Sequence, residues 1–121
     1  MTKIIYRLGG LSSAIALTAG LLFSAHASAT EDPFAAGKKI AFDRKKGNCL
    51  ACHQIAGGKL AGTIAPPLIA MKQRYPDKAK LRAQIWDATV ANPNTIMPPM
   101  GRHKILSEKE IDLVTDFIYN L

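Results

Sequence analysis

Both cysteines of the chain lie within one seven-residue stretch, Gly47-Asn48-Cys49-Leu50-Ala51-Cys52-His53. Cysteines three apart on a helical turn face the same side. Two thiols so placed can each form a thioether with one vinyl group of a haem, and Cys-x-x-Cys-His is the sequence signature of that attachment. The adjacent His53 can then offer an imidazole nitrogen to the iron from the same turn. Rival readings fit less well. A zinc site needs four ligands, and after residue 29 the chain has no further cysteine and only one other histidine, His103. A Cys49–Cys52 disulfide or an idle thiol pair leaves the histidine without a role.

The 121 residues suffice for one domain. Residues 1–29 read as a secretory signal: Lys3 and Arg7, an uncharged apolar run from Leu8 to Phe23, and the small-x-small pattern Ala27-Ser28-Ala29. An uncleaved membrane anchor is the alternative, but the run is short for a span and Gly9, Gly10 and Gly20 weaken it as a helix. Cleavage after Ala29 leaves a domain of residues 30–121, exported and without a membrane anchor. At this size a hydrophobic core is marginal without a staple, and a buried haem would supply one. The formal charge is +7 for the whole chain, and loss of Lys3 and Arg7 leaves +5. An exported chain with no base-stacking aromatic cluster is not expected to bind nucleic acid. Lys38, Lys39, Arg44, Lys45 and Lys46 crowd the segment before the cysteine pair. They form either a solvated helix face or a rim that steers an acidic redox partner or anionic substrate.

Within the mature segment the pattern is all-α. Asp32-Pro33 opens a helix predicted to run to about Lys46, in which Gly37 suits a close helix crossing. Gln54 to Ile64 carries three glycines and reads as a loop. In Ala65-Pro66-Pro67-Leu68 the prolines fix the backbone and leave free carbonyls. The Pro66 carbonyl is the candidate acceptor for the second N–H of His53, a contact that commonly orients a metal-bound imidazole. Asp77 caps a helix expected over about Lys78 to Ala91, with Leu81, Ile85, Ala88 and Val90 on its apolar face. Trp86 lies just off that face; core packing is favoured over the haem edge or a partner surface. Thr95-Ile96-Met97-Pro98-Pro99-Met100-Gly101-Arg102-His103 cannot form regular structure, so something must hold it. An iron–thioether bond would do so, and a Met ligand opposite a His raises haem potential and suits electron transfer. Met97 is the favoured ligand; Met100 and His103 stay open, and Met71 is assigned to the core. Ser107 with Glu110 forms a capping box, and Ile111, Val114, Ile118 and Leu121 line one face of a terminal helix that should cross the first near Gly37.

The order helix, Cys-x-x-Cys-His, Pro-Pro-Leu turn, helix, Met-Pro-Pro loop, terminal helix resembles the class I c-type cytochromes, all-α domains of about three main helices around one covalent haem. Ala41 to His53, and Met97 to Leu106 with the following Glu110-Ile111, further resemble the SoxX family, the small cytochrome subunits of SoxAX thiosulfate-oxidising complexes. Met100 departs from the family, which usually has an aromatic residue there. The resemblance implies haem c on Cys49 and Cys52, with His53 and Met97 as axial ligands. It implies a periplasmic heterodimer with a SoxA-like cytochrome, the complex acting as an L-cysteine S-thiosulfotransferase that couples thiosulfate to a cysteine of the carrier SoxYZ. Catalysis would then lie on the SoxA-like partner. This chain would be the electron outlet to a separate cytochrome, with no catalytic residue of its own. A free-standing periplasmic electron shuttle with the same haem is the alternative.

Overall fold

The computed structural model describes residues 32–121; the expected signal segment, residues 1–29, lies outside them. Four α-helices follow in order: α1 (Ala35–Phe42), α2 (Met71–Arg74), α3 (Lys78–Trp86) and α4 (Glu108–Tyr119). Short 3-10 turns at Cys49–Ala51 and Ala88–Val90 sit between them, and no strand occurs among the described residues. No described helix is long and apolar enough to cross a membrane.

The frame is the crossing of α1 and α4. It depends on Gly37: a Cβ there would stand 2.0 Å from the Leu113 carbonyl oxygen. With no side chain in the way, Phe42 meets Phe117 edge to face, with ring centroids 5.9 Å apart. The capping box of α4 is formed: Glu110 N–H donates to the Ser107 hydroxyl, and the Glu110 carboxylate accepts from Ser107 N–H at 3.0 Å. Ile111, Val114, Phe117 and Ile118 are buried along the inner side of this helix. Thr115 is buried with them, its hydroxyl donating to the Ile111 carbonyl at 2.7 Å.

Helix α3 packs on α4 through Leu81 and Ile85, and its polar side is tied across by ion pairs. Arg82 bridges Glu108 and Asp112, and Lys78 meets Asp116 at 2.7 Å. These pairs are largely exposed and set orientation more than stability.

Two helices end earlier than their apolar patterns suggest, each at an aspartate. Helix α1 stops at Phe42, not near Lys46. Asp43 turns extended, its carboxylate accepting from Lys45 N–H at 2.8 Å and its carbonyl from Asn48 N–H at 2.9 Å. Helix α3 stops at Trp86, not Ala91. The Asp87 carboxylate accepts from both the N–H and the hydroxyl of Thr89 and recruits the next residues into a separate turn. Such local side-chain bonds compete with helix continuation. Val90 consequently points to solvent, while Ala88 stays buried. Asp77 caps α3 as expected, accepting from Ala79 N–H at 2.9 Å.

Candidate haem site

The helices and loops leave one large apolar cavity, ≈ 610 Å³, a size ordinary for small-molecule and cofactor sites. Met71, Leu81, Ile85, Val114 and Ile118 supply helical wall, and Leu68 and Leu106 come from the connections. Cys49, Cys52 and His53 line the same cavity, as do Met97 and Met100.

The motif is set by tight backbone reversals. Asn48 adopts the left-handed conformation (φ 47°), tolerable for asparagine. The 3-10 turn Cys49–Ala51 follows, and the Cys49 carbonyl accepts from both Cys52 N–H (3.2 Å) and His53 N–H (2.9 Å). The glycine-rich loop then folds back on the turn. Gly62 N–H donates to the Leu50 carbonyl at 2.8 Å, and a Cβ on Gly62 would meet the Ala51 carbonyl oxygen at 2.1 Å. Neither cysteine is in a disulfide. Burial pushes the Cys49 thiol up to about 11.

His53 Nδ1 lies 2.7 Å from the Pro66 carbonyl oxygen, the acceptor expected from the sequence. A carbonyl can only accept, so Nδ1 carries the proton and Nε2 keeps its lone pair for a metal. The Pro66–Pro67 turn is itself anchored: Leu68 N–H donates to the Gln54 carbonyl at 2.9 Å, and Arg74 Nη1 to the Pro67 carbonyl at 2.8 Å. Arg74 was legible only as part of a chain break, because its role depends on the four-residue helix α2. That helix is too short to show a period in sequence, and it is fixed by Met71 N–H donating to the Leu121 carbonyl at 3.0 Å.

On the loop side, Met97 is half-buried and Met100 buried. Met97 N–H donates to the Thr95 hydroxyl at 3.2 Å, and the Met100 carbonyl accepts from Ile105 and Leu106 N–H. His103 is exposed and outside the cavity lining. Met71 is 1% exposed and 3.5 Å from Arg74 Nη1, a core position as expected. Among the described residues no three His, Cys, Asp or Glu converge as a metal cage.

The basic segment divides in two. Lys46 pairs with Glu110, and Lys38 lies over the Phe42 ring. Arg44 and Lys45 are exposed at the edge of the cavity, beside which Ile64 and Ile96 stand 69% and 74% exposed.

The model of the family described as cytochrome c matches residues 34–121. The chain belongs to the cytochrome c family. This cytochrome is also similar to a chain of the crystal structure of SoxXA from P. pantotrophus, with 29% identity, a TM-score of 0.60, and coverage of 69% of this chain and 77% of that one. No curated protein is significantly similar to it. The all-α, class I-like architecture and the homology to SoxXA read from the sequence therefore both hold.

The residues of this cytochrome suit a covalent haem. A thiol pair, an imidazole with a fixed tautomer and thioether sulfurs share one apolar cavity. A thioether is a soft, neutral donor, at home in a wall where a charged ligand would be costly to bury.

Proposed function

We propose that this chain is a monohaem electron-transfer cytochrome acting as the SoxX-like subunit of a periplasmic SoxXA-type complex. The observation that carries the haem reading is the His53 Nδ1–Pro66 contact of 2.7 Å, made at the wall of a cavity that the cysteine pair also lines. Cys49 and Cys52 would hold the haem by thioether bonds, and His53 and Met97 would offer a nitrogen and a sulfur to its iron. Bound there, haem c would supply a one-electron iron couple.

The chain's own residues do the rest. Pro66 holds the His53 ring in one tautomer, so the ligating nitrogen is the same in both redox states. Leu68, Leu81, Ile85 and Val114 give the cavity an apolar wall, against which the apolar face of a haem would be buried. Arg44 and Lys45 put positive charge at the cavity edge, suited to an acidic redox partner.

The place in a complex rests on the likeness to SoxXA, and the exposed Ile64 and Ile96 beside the cavity support a face that a partner covers. In that complex, joining thiosulfate to a SoxYZ cysteine would release two electrons, and a haem held by Cys49, Cys52, His53 and Met97 would supply a one-electron outlet toward a separate cytochrome. No residue of this chain has a catalytic role in forming that bond. Mild affinity purification from thiosulfate-grown cells tests the assignment. A SoxA-like cytochrome should co-elute in equal amount; a protein that is monomeric under those conditions is a free shuttle instead.

A further inference from the structure

We infer that Trp86 and Gly101 form a clamp that positions the Met97–Met100 loop, and with it the axial sulfur, against the cavity. The inference rests on the reading of Met97 as the iron ligand. Pro98 and Pro99 carry no N–H, so the loop has few donors with which to hold itself. The C-terminal end of α3 provides acceptors. The Trp86 carbonyl, one of those a helix end leaves without an intrahelical partner, accepts from Gly101 N–H at 3.0 Å and Arg102 N–H at 3.4 Å.

The indole ring backs the same point. A Cβ at Gly101 would stand 1.9 Å from Trp86 Cε3 and 2.2 Å from Cδ2, so only glycine admits this approach. The ring is steadied by Arg82, whose guanidinium carbon is 5.7 Å from its centroid and which is itself tied to Glu108 and Asp112 of α4. One residue further on, Arg102 Nε pairs with the buried Asp87 carboxylate at 3.1 Å. Residues 86–87 thus grip residues 101–102 by backbone, ring and charge, directly after Met100.

Trp86 is outside the cavity lining. It acts through the loop and is a positioning residue. A weak iron–thioether bond persists only if the loop cannot swing away, so the clamp should govern how readily another ligand replaces the sulfur.

The test is equilibrium binding of imidazole to the ferric haem-loaded protein, read together with the far-red iron–sulfur charge-transfer band. Trp86→Leu should raise imidazole affinity by about two- to tenfold, the scale of one lost contact, and weaken the band while attached haem is unchanged. Gly101→Ala should do the same, and combining it with Trp86→Leu should be no worse than Trp86→Leu alone, because the clash is gone. Arg102→Gln, at an exposed position, keeps the test open if the inner variants fold poorly, with a smaller rise in affinity. In a Met97→Ala background none of these changes should alter imidazole binding, there being no sulfur to displace. Unchanged affinity in Trp86→Leu and Arg102→Gln overturns the clamp, and so does an equal rise with and without Met97. Persistence of the band in Met97→Ala overturns the ligand assignment itself.

Discussion

Met97 and Met100 show how a single loop separates two chemically identical side chains. Both line the cavity, but Met100 is 7% exposed and belongs to the hydrophobic core, whereas Met97 is only half-buried and packs against that core. Met97→Ala should abolish the ferric far-red sulfur band. Met100→Ala should keep it and lower stability by about 2–5 kcal/mol, the usual cost of truncating a buried methionine, measured by urea unfolding of the haem-loaded protein. The reverse spectral result would reassign the ligand. At this scale the sequence was informative where chemistry is local. Cys49, Cys52 and His53 are adjacent, and Pro66 was identifiable because prolines leave carbonyls free. Arg74, Trp86 and Gly101 were not legible as supports, because their contacts span residues that only the fold brings together.

Among the elements, α4 was the most legible, since its capping box and apolar face are both written in consecutive residues. The ends of α1 and α3 were overestimated. Asp43 and Asp87 stop them by bonding the next turn, and periodicity carries no trace of that competition. Gly37→Ala puts a methyl into the Leu113 carbonyl and should destabilise the α1–α4 crossing by about 1–3 kcal/mol, seen as a lower thermal midpoint.

The Glu110 carboxyl is held at about 2, down from 4.5, first by its hydrogen bond to Lys46 and then by Ser107. The fold favours its charged form. The contribution is full above pH 4.5, falls as pH drops, and is gone below about 2. Lys46 is raised from 10.5, again first by Glu110, so its share persists up to that pH and is lost above it. Glu110→Gln should flatten the urea midpoint between pH 4.5 and 2; an unaltered slope would show that the capping box and the Lys46 tie do not act through this carboxyl.

On the scale of the whole molecule, residues 34–121 match a cytochrome c domain, and among the described residues four short helices and long connections surround a cavity larger than their own side chains fill. Haem should therefore be part of the core. The protein expressed without haem attachment, or with Cys49→Ala and Cys52→Ala, should lose most of its cooperative unfolding transition, checked by circular dichroism against the loaded protein. Everything in the proposed function depends on covalent attachment of a haem to Cys49 and Cys52. That attachment is tested most directly by intact mass and pyridine haemochrome spectra of the exported protein after acid–acetone extraction. One haem per chain should be retained, with no titratable thiol. A chain with the mass of the polypeptide alone and two free thiols would contradict it.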